Sequence, residues 1–247
     1  MPGHAFRQQT ETTTAATEHV PTFMGANQAS PRSNQAMQDQ LRQRQLAGQY
    51  ARGMAPSSFV DTGLREGIFG KAMTSFEKAY QEGRSSSPIV TIIDYELPSK
   101  QKRLWVIDLA EKMLLFHEYT THGQGSDRNH DGQMDSASNT VSSNQSNVGL
   151  LVTDETYTGR HGKSLRMDGL EEGFNDNARD RSIVFHSARY ADDKYIDRHG
   201  KAGRSHGCPA LDPDVSGQII DTIKDGKLVF AYYPDQKWLE QSTYLNP

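Results

Sequence analysis

From Pro88 onward the chain consists of short runs rich in branched aliphatic and aromatic residues, parted by turn residues. That pattern points to a β-rich domain. Ile89–Tyr95 is the first run. Leu104–Leu109 and Met113–Tyr119 flank the short turn Ala110-Glu111-Lys112 and read as a hairpin. Ser182–His186 and Leu228–Tyr233 complete the visible strands. One helix interrupts them. Asp212 is its N-cap and Pro213 starts its first turn, Val215, Ile219, Ile220 and Ile223 make its apolar stripe, and Gly226 stops it. Many strands and few helices predict a mainly β catalytic domain over residues 88–247.

What precedes the strands divides in two. Residues 1–58 are rich in Gln, Thr, Ala and Ser and nearly free of branched aliphatics. Such a segment buries too little apolar surface to offset its ordering entropy, so a disordered or loosely helical tail is expected, with helix-forming potential over Gln35–Arg52. Residues 59–87 read as a helical lead-in. Asp61 is the N-cap candidate, Leu64, Ile68, Ala72, Met73, Phe76 and Tyr80 form a stripe at helical spacing, and Gly83 closes the helix at C′.

Composition narrows the function. The 27 basic and 31 acidic residues leave a net charge of −4, with no Lys/Arg cluster, so no nucleic-acid partner is expected. No apolar run is long enough to span a membrane. The first residues lack the apolar core of a secretory signal. The expectation is therefore a protein that stays inside, one whose signal was removed earlier, or one exported by a dedicated machine.

The single cysteine, Cys208, cannot form an intrachain disulfide or a thiolate metal cage. It lies in Arg204-Ser205-His206-Gly207-Cys208-Pro209-Ala210, a context that favours a nucleophile over a small buried apolar residue. A free thiol, with a pKa of about 8.5, is only a few per cent thiolate at neutral pH and needs a base. His186, ending the apolar run Ile183-Val184-Phe185, is the candidate base. Ser187 can orient it through its hydroxyl or its backbone carbonyl. The amides of Gly207 and Cys208, with His206, are candidate oxyanion donors.

Ser205-His206-Gly207-Cys208, preceded by His186-Ser187-Ala188, resembles the L,D-transpeptidase catalytic domain (YkuD-like) family. Arg103–Asp108, His122–Ser126, Leu165–Leu170 and Phe174–Arg181 resemble its murein L,D-transpeptidase catalytic domain branch, as does the Cys208-Pro209-Ala210 ending. The similarity spans roughly residues 60–235.

The resemblance implies a β-sandwich or barrel acting on peptidoglycan stem tetrapeptides in the periplasm or cell wall. Cys208 would form a thioester as the terminal D-Ala leaves. An amine on a second stem, a free D-amino acid or water would then take the acyl group, giving L,D-transpeptidation, exchange or L,D-carboxypeptidase trimming. Ser205, Arg204 and His122 are expected near the substrate. Asn175 and Arg179, with Asn177 and Arg181, are candidates to hold a stem-peptide carboxylate, since arginine can grip one with two parallel hydrogen bonds. A wall-active enzyme without an export signal also suggests an antibacterial effector, with a secretion apparatus or an immunity protein as partner. A catalytically silent peptidoglycan-binding module is the alternative.

The remaining signals are weaker. The charged segment Tyr190–Gly203 is expected to form a lid or flap, and His199 on it is not the base. His117, His122, His130 and His161 lack zinc-helix spacing, so no metal is expected at them, and apart from His122 surface histidines are the default. Asp127-Arg128-Asn129-His130-Asp131-Gly132 with Asp135 matches the opening of an EF-hand loop, but position twelve is Ser138 instead of glutamate. A solvated loop is favoured over calcium there, and no other cofactor is expected.

Overall fold

The computed structural model describes residues 61–246, together with Gln35, Gln38, Leu41, Arg42, Gln45 and Gln49, which are helical and exposed. These positions fall in the stretch with helix-forming potential. The rest of the expected tail lies outside the described residues.

The expected mainly β domain forms, as one eight-stranded sheet. Its strands are β1 (Ile89–Asp94), β2 (Leu104–Asp108), β3 (Met113–Glu118), β4 (Gly149–Gly159), β5 (Gly162–Gly169), β6 (Val184–Ser187), β7 (Ala210–Leu211) and β8 (Leu228–Tyr232). Their spatial order is β3-β2-β1-β8-β4-β5-β6-β7. Among the described strands β1–β8 and β6–β7 pair in parallel and the other pairs are antiparallel. β8 is buried along its whole length, as befits a central strand that reads as continuously apolar.

The sheet nearly closes into a barrel. The segment leaving β3 meets β7 and the loop before it: Thr121 N donates to Ala210 O (3.2 Å), Ser205 N to His122 O (2.9 Å) and Gln124 N to Ser205 O (2.8 Å). This seam joins the two edges of the sheet and so removes most of the unpaired strand edge. The chain that crosses it carries Cys208.

The α-helices that lie wholly within the described residues are α1 (Glu66–Gln81), α2 (Asp193–His199), α3 (Pro213–Ile223) and α4 (Gln236–Gln241). Phe76 of α1 meets Phe230 of β8 edge-on, with ring centroids 6.4 Å apart. The N-cap of α1 is Arg65, not Asp61. Gly63, at φ +78°, turns the chain before the helix begins, and the Arg65 guanidinium is drawn to Asp94 (2.7 Å) and Glu96 (2.6 Å). Its C-terminus follows expectation: Gly83 takes φ +72°, Gly83 N bonds Tyr80 O and Arg84 N bonds Ala79 O, which is a Schellman closure. In α3, Asp212 caps Asp214 N (2.8 Å), and Ile219, Ile220 and Ile223 are fully buried.

Two further expectations are corrected. β6 begins at Val184 instead of Ser182, because Ser182 sits at φ +55° and closes a turn through Ser182 N to Arg179 O and Ile183 N to Ala178 O. The expected lid, Tyr190–Gly203, is a packed insert containing α2. Ile196 and Ala202 are buried, Gly200 caps α2 at φ +71°, and Gly203 N bonds Tyr190 O (2.7 Å).

Candidate active site

β6 lies between β5 and β7, and its pairing brings the thiol and the imidazole to one edge. His186 is in register with Ala210, two residues beyond Cys208. The loop leading to Cys208 is pinned from below. Thr121 Oγ1 and Ser205 Oγ both donate to Cys208 O (3.3 and 2.7 Å), and Ser146 Oγ donates to Gly207 O (3.1 Å). Gly207 stands at φ +120°, and a Cβ there would come within 2.6 Å of Gln145 O and 2.8 Å of Ile183 Cδ1. No larger residue fits without displacing the loop. Gly207→Ala is expected to add roughly 1–3 kcal/mol of backbone strain on top of that overlap. A lower thermal midpoint and slower alkylation of Cys208 would register the effect; an unchanged midpoint would contradict the packing.

The Cys208 thiol is half-buried and lies 3.5 Å from Ser182 O. Burial pushes it up from its ordinary value; the Val184 N–H and the charges of Arg181 and Arg160 oppose that rise. His186 is 3% exposed, and burial pushes its imidazole down. Its Nδ1 lies 2.9 Å from Ser187 O. A carbonyl can only accept, so Nδ1 carries the proton and Nε2 is left as an acceptor. Both shifts favour a resting pair of neutral thiol and neutral imidazole over a thiolate–imidazolium pair. Ser187 thus reaches the ring through its backbone carbonyl, the second of the two expected routes.

Of the three expected oxyanion donors, one is already engaged. Gly207 N donates to Ser205 Oγ (3.0 Å). No acceptor among the described residues takes the N–H of His206 or Cys208, which leaves these two for a ligand oxygen.

Cys208 and His186 line a cleft of about 470 Å³ with Arg160, His161, Arg181 and Arg204, and with Tyr157, Tyr190 and His206 at its walls. Among the described residues no aspartate or glutamate lines it. Arg181 is held by four neutral oxygens: Ser138 O and Asn147 Oδ1 on Nη1, Ser143 Oγ and Gln145 O on Nη2. His161 stacks on His186 with centroids 4.5 Å apart and planes at 28°. His161 was expected to be an ordinary surface histidine. The signal that marks it is Gly159-Arg160-His161-Gly162, a two-residue turn between paired glycines that carries both side chains to the cleft mouth.

The expected substrate contacts separate. Arg204 and Ser205 line the cleft, although Ser205 is 5% exposed and its hydroxyl is spent within the loop. His122, Asn175 and Arg179 lie elsewhere. Asn175 is fully buried, bonding Glu171 N, Val148 O and Leu150 O. Arg179 is paired with Asp168, Asp154 and Glu155. His122 is 1% exposed between Arg103 Nη2 (2.8 Å to Nδ1) and Asp127 Oδ2 (3.1 Å to Nε2). Burial and the Arg103 charge keep its imidazole neutral, and its backbone carbonyl anchors Ser205. This Arg103–His122–Asp127 chain supports the seam under the thiol loop and does not touch the cleft.

In the Asp127–Asp135 loop Asp127 is buried, Asp131 and Asp135 are exposed, and the first two are engaged within the loop. Asp127 accepts from Asp131 N (3.0 Å), Gly132 N (3.1 Å) and His122, and Asp131 accepts from Asn129 Nδ2 (2.9 Å) and Gln133 N (2.8 Å). Among the described residues no group of three or more His, Cys, Asp or Glu side chains is arranged to hold a metal ion.

The family model of the L,D-transpeptidase catalytic domain matches residues 61–232, and the chain belongs to that family. Solved structures with some likeness include an L,D-transpeptidase from Mycobacterium smegmatis (13% identity, 60% of this chain and 59% of that one, TM-score 0.36). Others come from Xylanimonas cellulosilytica (16%, 64% and 69%, TM-score 0.34) and Stackebrandtia nassauensis (11%, 72% and 75%, TM-score 0.35). The chain thus spans less than two thirds of the Mycobacterium smegmatis structure it matches. At these TM-scores the likenesses carry no weight of their own, and the assignment rests on the family match. No curated protein matches the chain.

Proposed function

We propose that this protein is a cysteine acyltransferase that acts on peptidoglycan stem tetrapeptides outside the cytoplasmic membrane. What carries the reading is one juxtaposition: the thiol of Cys208 and the neutral imidazole of His186, its Nε2 open, share a cationic cleft. Membership of the L,D-transpeptidase catalytic domain family supplies the substrate class. Among the described residues no helix is long and apolar enough to cross a membrane.

In this mechanism His186 Nε2 takes the thiol proton as Sγ attacks the carbonyl carbon of the amide that joins the third residue of the stem to the terminal D-Ala. The oxyanion meets the N–H groups of His206 and Cys208. As the tetrahedral intermediate collapses, the C–N bond breaks, and the imidazolium returns its proton to the departing amine of the terminal D-Ala. A thioester on Cys208 remains. The amine of a second stem or of a free D-amino acid gives a proton to His186 as it attacks the thioester carbonyl. The C–S bond then breaks, the imidazolium returns the proton to the departing Cys208 sulfur, and the new amide leaves with the thiol restored. Water in the same place gives the trimmed tripeptide.

The test is incubation of the protein with purified tetrapeptide muropeptides, followed by mass analysis of both protein and products. A tripeptide adduct on Cys208 with free D-Ala is expected. The cross-linked, exchanged or trimmed product identifies the acceptor. Bound muropeptide with neither adduct nor product would favour a silent binding module instead.

A further inference from the structure

The cleft holds three guanidinium groups, from Arg160, Arg181 and Arg204, and among the described residues no carboxylate lines it to balance them. They are not equally available. Both terminal nitrogens of Arg181 are committed to the loop oxygens described above, and Arg204 Nη1 donates to Asp127 O. Arg160 differs. It is exposed at the β4–β5 turn, and only its Nε is engaged, donating to His161 Nε2 at 3.0 Å. Its two terminal nitrogens meet no acceptor among the described residues, so the fork that grips a carboxylate in a bidentate way is open.

The place of that fork is constrained as well. Arg160 is tied to His161, and His161 lies flat on His186. The charge of Arg160 is felt at both His186 and Cys208. In the acyl transfer proposed above, the amine that leaves must approach His186 to receive its proton. The carboxylate of the leaving residue is separated from that amine by a single carbon. A cation bound to the ring that covers the base is therefore within reach of it.

We propose that Arg160 is a specificity-determining residue that binds the free α-carboxylate of the residue released from the acyl donor, so that the site selects peptides ending one residue beyond the cleaved amide. The assignment builds on the reading of Cys208 and His186 as nucleophile and base. The His161 stack makes the carboxylate anchor and the base one unit, so that a donor gripped at its terminus is in register with the thiol.

The experiment uses Cys208→Ala protein, so that binding is measured without turnover. Titration calorimetry compares a stem tetrapeptide with the same peptide carrying a C-terminal carboxamide. Loss of a charge-assisted pair predicts a preference for the carboxylate of roughly tenfold or more. Adding Arg160→Gln should shrink that preference to within about twofold, through loss of carboxylate binding, while affinity for the amide holds. Arg160→Lys should restore only part of it, because an ammonium lacks the fork. An equal preference with and without Arg160, or none in Cys208→Ala itself, overturns the assignment. Failure of the active protein to form a thioester with the tetrapeptide would instead overturn the acyltransferase reading, which the carboxylate-to-amide ratio does not measure.

Discussion

Cys208→Ala is expected to abolish the tripeptide adduct and to lower turnover of tetrapeptide stems by about 10⁴-fold or more, the scale on which loss of a covalent nucleophile acts. The fold should survive. The thiol has only a long contact with Ser182 O and the Val184 N–H beside it, and the loop around it is held through backbone groups and the hydroxyls of Thr121, Ser146 and Ser205. Removing a half-buried sulfur atom therefore costs about 1 kcal/mol, a small change in thermal midpoint. Mass analysis and thermal unfolding of the same preparation separate the two effects. Retained turnover in Cys208→Ala would end the assignment of this residue as nucleophile. A collapse of the midpoint would mean instead that the thiol is part of the packing.

The strands that could be read directly were those whose burial imposes a local pattern. β1, the β2–β3 hairpin, β8 and α3 each carry their apolar period within a single short window. β4 and β5 escaped such a reading. Only the first half of β4 packs in the core, while Asp154–Thr158 runs out into a half-exposed arm, and the register shifts between Thr153 and Thr156. Period-two alternation is lost on such an arm. Yet this hairpin carries Arg160 and His161 into the cleft. The glycines that bracket them are the only local trace.

The candidate site divides along the same line. Cys208, His186 and the need for glycine at 207 follow from adjacent residues. Other features depend on chain segments far apart in sequence, which no local pattern records. The seam pairing Thr121 with Ala210 is one such feature, and the cradle of loop oxygens around Arg181 is another. The same long-range packing explains the misplaced substrate contacts. Asn175 and Arg179 have the side chains that bind carboxylates, but one satisfies buried backbone around β4 and the other neutralises the acidic arm of the β4–β5 hairpin. Side-chain chemistry suggested a role that burial and partner choice then reassigned.

His186→Ala should change the form of the pH dependence as well as its height. With burial holding the imidazole below its ordinary value, His186 stays neutral at and above about pH 6.5 and acts as a base across that range. Acylation by a tetrapeptide should therefore rise with pH through the lowered His186 pKa, level off near neutrality, and weaken only as acid protonates the ring. The thiol, pushed up from its ordinary value by burial, contributes little thiolate of its own at pH 7. Without the imidazole, attack must wait for free thiolate. The rate at pH 7 should then fall by about 10²–10⁴-fold, and the acid limb should give way to a steady climb toward the thiol pKa. Stopped-flow acylation of both proteins from pH 5 to 10 measures both effects, and added imidazole, small enough for the vacated cleft wall, should recover part of the loss. An acid limb that persists in His186→Ala would assign it to another group, of which His161, stacked on the same ring, is the first to examine.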